Sequence, residues 1–130
     1  MIQGSCHCGA VSYEADAPLR GIAHCHCPTC RKTHAAAFSS IAAVPREQFR
    51  WIGGEEKLSR YESSPGKFRY FCSVCGSHLF AERPEDKRVM LAMGCVDNHL
   101  VETRQVHIWC SEGASWYDPD RPLPERPKGF

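Results

Sequence analysis

The 130 residues and formal net charge of +1 describe one domain's worth of chain, long enough to bury a single core. With 42% hydrophobic and 24% charged residues, the composition excludes a disordered or membrane-embedded chain. Sixteen basic against fifteen acidic residues leave no cationic surplus for neutralising phosphates, so no nucleic-acid partner is expected.

The first residues, Met1-Ile2-Gln3-Gly4-Ser5, carry neither a basic start nor an apolar stretch, and nine cysteines cannot all pair as disulfides. Reduced cysteines and a cytoplasmic location are therefore expected. Cys6-His7-Cys8 comes first, on what reads as extended chain, and Val11 to Ala15 alternates apolar and polar like a strand. Cys25-His26-Cys27-Pro28-Thr29-Cys30 is the second cysteine group. Residues 35–44 form the longest weakly polar run, far short of the roughly 20 residues that span a membrane, and Ala37 to Val44 reads as a strand. Pro45 to Phe49 reads as one helical turn with proline at its start, and Trp51-Ile52 runs as a strand into Gly53-Gly54.

Leu58 to Tyr61 and Lys67 to Phe71 flank the turn Ser63-Ser64-Pro65-Gly66, a hairpin that leads straight into Cys72-Ser73-Val74-Cys75. Arg88 to Met93 and Arg104 to Trp109 are further strand candidates. Beyond Tyr117 four prolines dictate coil, so the expected organisation is a domain over 1–117 and a Pro-rich tail over 118–130. No long helix is expected. The fold class is mainly β.

Sulfurs around a tetrahedral zinc lie roughly 3.8 Å apart, so the chain must deliver thiolates in closely spaced pairs. Cys6 and Cys8 meet this by pointing the same way on an extended segment, and Cys72 and Cys75 meet it across a turn completed by Gly76. These four form a closed structural zinc site that ties the first strand to a hairpin more than sixty residues later. The bland alternative is two redox pairs, which a two-residue spacing and the lack of a βαβ context disfavour.

Cys25, Cys27 and Cys30 make a second zinc site with only three ligands. Three thiolates on a divalent cation carry a net charge near −1, a soft centre suited to accepting another thiolate in its fourth position. The alternative is closure by a fourth protein ligand from His24, His26, His34, His107, Cys95 or Cys110. His34, four residues after Cys30, is the first candidate, whereas His26, between two ligands, should face the other way. His7, His78 and His99 read as ordinary surface or core histidines, and Cys95 and Cys110 as small buried hydrophobes.

The segments Gly4-Ser5-Cys6-His7-Cys8-Gly9-Ala10-Val11, His24-Cys25-His26-Cys27-Pro28-Thr29-Cys30-Arg31-Lys32, Ser64-Pro65-Gly66 and Phe71-Cys72-Ser73-Val74-Cys75-Gly76 together are similar to the glutathione-dependent formaldehyde-activating enzyme (GFA) family, which includes centromere protein V. Ala37-Phe38, Val44-Pro45, Phe49, Gly94 with Asp97, and His107-Ile108-Trp109 extend the resemblance to about residues 4–117. It implies an Mss4-like β fold, one structural zinc on the outer cysteine pairs and a second zinc on the trio. It also implies carbon–sulfur lyase-type chemistry, the reversible joining of formaldehyde and glutathione to S-hydroxymethylglutathione.

Glutathione carries two carboxylates, and Arg31 and Lys32 beside the trio are the cationic candidates to meet them, with solvated surface charge as the alternative. Phe38 and Trp51 offer pocket walls but read more simply as core. Two other functions compete with a thiol-adduct enzyme: a non-catalytic zinc module for protein or chromatin interaction, and a zinc hydrolase. The first lacks a basic extension and the second lacks a carboxylate near the trio in sequence.

Overall fold

The computed structural model describes residues 1–16, 18–98 and 104–129. Among the described residues ten strands run in chain order: β1 (Ile2–Ser5), β2 (Ser12–Ala15), β3 (Ile22–Cys25), β4 (Ser39–Pro45), β5 (Phe49–Gly53), β6 (Leu58–Ser64), β7 (Lys67–Cys72), β8 (His78–Glu82), β9 (Arg88–Ala92) and β10 (Gln105–Ile108). One short helix, α1 (Pro28–His34), interrupts them between β3 and β4. The expected mainly β fold class is thus the one observed.

The strands build two sheets. A three-stranded sheet has the order β1-β2-β5, and a seven-stranded sheet the order β10-β3-β4-β9-β8-β7-β6. All pairings are antiparallel except β10 with β3, which aligns His107 with His24 and Ile108 with Cys25. The β6–β7 hairpin turns on Pro65-Gly66 alone: proline presets its backbone angle and Gly66 accepts φ 78°.

Period-two alternation decides which side of each sheet is apolar. Ile2, Tyr13 and Ala15 of the small sheet, with Val11 just before β2, meet Val44, Leu79, Phe80, Val89 and Leu91 of the large one. Each fully buried aliphatic side chain here contributes about 1.5–3 kcal/mol. An aromatic group bridges the sheets, with Phe49 and Trp51 ring centroids 4.7 and 5.3 Å from Phe80. Trp51 and Phe49 therefore serve the core rather than a pocket wall.

Several sequence-based boundaries shift. The second strand begins at Ser12, the fourth at Ser39 and the last at Gln105, and the turn after Pro45 is a 3-10 turn over Arg46–Gln48 that proline precedes. Strands β1, β3 and β8, and helix α1, have no counterpart in the periodicity. All four are short, and α1 at seven residues is below the length at which an amphipathic pattern becomes legible. His99 lies outside the described residues. Among the described residues no helix is long and apolar enough to cross a membrane, and 113–129 carry neither strand nor helix.

Candidate functional site

The chain brings Cys6, Cys8, Cys72 and Cys75 together, their sulfurs all within 4.8 Å of one another. Cys6 and Cys8 sit on a turn just past β1 rather than on extended chain: Gly9 N–H bonds the Cys6 carbonyl and Cys6 N–H the Val11 carbonyl, each at 3.0 Å. Gly9, at φ 79°, lets the chain reverse there. The second pair belongs to the β7–β8 turn, where Gly76, at φ 78°, donates to the Cys72 carbonyl at 2.8 Å. His7 N–H reaches Ser77 Oγ at 3.0 Å and fastens the two turns to each other.

Cys6 Sγ lies 3.6 Å from Cys8 Sγ, which lies 3.8 Å from Cys72 Sγ. These match the separation of roughly 3.8 Å that tetrahedral zinc–sulfur bonds near 2.3 Å require. Val11 N–H donates to Cys6 Sγ at 3.3 Å and the Ser77 hydroxyl lies 3.2 Å from Cys75 Sγ. Hydrogen bonds from Ser77 hold the Cys75 thiol down at about 5. Backbone and hydroxyl donors of this kind stabilise thiolates around a metal. The donor set fits a closed four-sulfur metal site that joins the small sheet to the large one.

Cys25, Cys27 and Cys30 form the second set, again with sulfurs within 4.8 Å. Cys25 ends β3, and Cys27 caps α1, its sulfur accepting from the Cys30 N–H at 3.4 Å, with Pro28 in the helix's first turn. Cys30 follows one turn later, and the helix stops at Ala35, whose φ of 49° is left-handed. Cys25 and Cys30 are buried while Cys27 is partly exposed, so the set opens to solvent on the Cys27 side. Burial pushes the Cys25 thiol up to about 12. It also opposes ionisation of Cys30, but the Ser39 hydroxyl, Cys25, Cys27 and Arg69 outweigh it and bring that thiol below its ordinary value.

No histidine or carboxylate among the described residues joins either set. His24 engages Ser40 Oγ through Nδ1 and Gln105 Oε1 through Nε2, both at 2.8 Å. His26 faces away from the trio, as its position between ligands predicts, and its Nε2 meets His107 Nδ1 at 2.8 Å. Phe38 packs beside these rings. His34 does not turn back to Cys30; its ring lies against His78 instead, 5.0 Å between centroids. Cys95 is partly buried, its thiol donating to the His78 carbonyl at 3.1 Å. Cys110 is exposed, contrary to the expectation of a buried hydrophobe, because it opens a 3-10 turn at the surface.

Arg31 uses its guanidinium locally, Nε to the His26 carbonyl at 3.2 Å and Nη2 to the Glu112 carbonyl at 3.3 Å. Lys32 is exposed on the same helix. Sequence reasoning overlooked two residues of β7. Arg69, buried at 6% exposure, donates through Nη2 to Cys30 Sγ at 3.8 Å and through Nε to Ser63 Oγ at 3.0 Å. Lys67 is half-buried two residues earlier. The signal was present in the period of Lys67-Phe68-Arg69, which places both cations on one face of the strand. Arg69 also lines, with His34 and His78, a cavity of about 20 Å³, room for about one water.

The family model described as glutathione-dependent formaldehyde-activating enzyme matches residues 1–112. A Halomonas elongata protein provisionally named as such an enzyme is 29% identical over 127 residues, covering 91% of this chain and 80% of its own length. A Colletotrichum graminicola protein with the same provisional name is 29% identical over 121 residues, covering 88% of this chain. The present chain spans only 55% of that fungal protein's length. The crystal structure of a Rhodobacter sphaeroides protein superposes with a TM-score of 0.64 at 22% identity, covering 80% of this chain and 99% of that one, which shows a shared fold. With the family model spanning both cysteine sets and every strand, this chain belongs to the glutathione-dependent formaldehyde-activating enzyme family.

Proposed function

We propose that the protein is a zinc-dependent carbon–sulfur lyase-type enzyme acting on adducts of glutathione or a related thiol with an aldehyde, in the manner of S-(hydroxymethyl)glutathione synthase. The observation that carries this reading is the contrast between the two cysteine sets: four sulfurs in one, three in the other, with the three opening to solvent at Cys27. The family's name supplies the substrates, glutathione and formaldehyde. Nine thiols suit the reducing cytoplasm, and we place the protein there.

Cys6, Cys8, Cys72 and Cys75 would hold a structural zinc, and Cys25, Cys27 and Cys30 a second one. Zinc on the trio would supply a positive centre that favours the thiolate of an entering thiol over its protonated form. In the synthetic direction a bond forms between the thiol sulfur and the aldehyde carbon, the carbonyl π pair moves to oxygen, and the proton lost from sulfur ends on that oxygen. Cys27 marks the side from which the thiol approaches. Lys32, exposed on the helix that Cys27 caps, and Arg31 offer positive charge to the carboxylates of glutathione. Arg69 keeps Cys30 oriented from behind.

The test is to load the protein with cobalt, titrate with glutathione while following metal–thiolate absorption, and then follow formaldehyde–glutathione exchange by NMR. A new thiolate band and exchange faster than the uncatalysed rate are expected. Absence of both overturns the reading and favours a non-catalytic zinc module for protein or chromatin contact.

A further inference from the structure

A buried cation requires an anion beside it, because an isolated charge taken out of water is costly. Arg69 has no carboxylate: the ion pairs among the described residues join Arg46 to Glu82 and Arg50 to Glu14 and Asp16. Its two hydrogen-bond acceptors are a neutral hydroxyl, Ser63, and the Cys30 sulfur. The compensating charge must therefore come from the trio. Lys67 stands two residues away on the same face of β7, half-buried; burial first, then the like charges of Arg69 and Arg83, hold its ammonium below the ordinary lysine range, and the Cys30 and Cys25 sulfurs act against them. Placing these cations together costs stability unless negative charge gathers there.

The four-cysteine set differs. Hydrogen bonds to its sulfurs come from the neutral Val11 N–H and Ser77 hydroxyl, not from a guanidinium. Three thiolates and a divalent cation leave a charge of about −1, and a fourth thiolate from outside would make it about −2. Two cations on β7 match the second figure, one too many for the first.

We propose that Lys67 and Arg69 form a cationic wall that makes the cysteine trio select an anionic thiolate over a neutral ligand in its remaining position. Arg69 balances the trio itself, and Lys67 balances the incoming sulfur. Both are positioning residues, and the thiolate half of the proposal rests on the trio being the thiol site proposed above.

The experiment uses cobalt-loaded protein with two probes that lack carboxylates: 2-mercaptoethanol, which binds as an anion, and imidazole, which binds neutral. Lys67→Met is expected to weaken 2-mercaptoethanol about tenfold while leaving imidazole within about twofold. Equal changes for both probes, or none for the thiol, overturn the role of Lys67. For Arg69, chelator competition in the absence of any thiol is expected to show metal affinity at the trio falling about 10–100-fold in Arg69→Gln, largely restored in Arg69→Lys, with the four-cysteine site unchanged. Unchanged affinity at the trio overturns the role of Arg69, and so does failure of Arg69→Lys to restore it. If neither probe nor glutathione binds the wild type, the thiol-site reading fails and with it the Lys67 role, while the Arg69 measurement still decides that residue separately.

Discussion

The imidazole rings of His34 and His78 lie 5.0 Å apart, and this contact joins the helix that carries Cys30 to the strand that follows Cys75. The two cysteine sets are thus linked through a pair of neutral rings packed beside the buried Arg69 guanidinium.

That packing has a pH consequence. Burial, with His78 and Arg69 as like-charged neighbours, lowers the His34 imidazole to about 4, against about 6.5 in an unfolded chain. Between those values the unfolded chain binds the extra proton, so the contribution of His34 is fully present above pH 6.5 and declines as pH falls toward 4. Melting His34→Gln beside wild type at pH 7.0 and 5.0 isolates the effect. Wild type should lose more stability over that interval, and equal losses would assign the imidazole an ordinary pKa.

The cysteine sets should separate on substitution. Cys6→Ser or Cys75→Ser opens the clamp between the sheets, and a loss of more than about 4 kcal/mol with one metal fewer per chain is expected. Cys27→Ser, at the open edge of a three-sulfur set, should lose the other metal and keep a cooperative fold. Metal analysis with thermal unfolding checks both, and equal destabilisation by the two classes would remove the distinction between them.

Gly54 tests the backbone. It holds φ +76°, and a Cβ there would lie 1.7 Å from the Ala10 carbonyl oxygen, a backbone atom that cannot step aside. Gly66, with φ +78°, has its nearest neighbour at 3.9 Å. Gly54→Ala should therefore cost about 3 kcal/mol or more and Gly66→Ala about 1, the second reflecting conformation alone. Urea unfolding of the two variants measures the difference.

Tyr13 gives the opposite sign. It is 1% exposed and its hydroxyl has no hydrogen-bond partner among the described residues. Tyr13→Phe keeps the ring contacts with Phe49 and Trp51 and removes a dehydrated polar atom, so stability should stay level or rise by up to about 1 kcal/mol. A clear loss would mean that the hydroxyl has a partner.

Much of the candidate site was legible before any coordinates because metal-ligand spacing is a local property. Cys25 to Cys30 occupy six consecutive positions, and Cys72 to Cys75 span one turn. The prediction that His26 faces away from the trio also followed from local geometry, and it does so, onto His107. Extended geometry failed at Cys6 and Cys8, because a turn stabilised by Gly9 and Val11 brings the sulfurs equally close. The reach of His34 was misjudged for another reason: a helix places residue 34 near residue 30, but what its ring touches depends on β8.

What the sequence determined by itself, then, is the division of seven cysteines into a four and a three, together with the alternating patterns that make the chain mainly β. Both are read within a few neighbouring residues. Only the tertiary structure decided how the two outer pairs meet across the sheets, that His24, His107 and His34 stay out of the trio, and that Arg69 donates to Cys30 with Lys67 on the same face of β7. Those relationships join residues dozens of positions apart. They depend on strand order and register, and many side chains packing at once set these, not any short run of the chain.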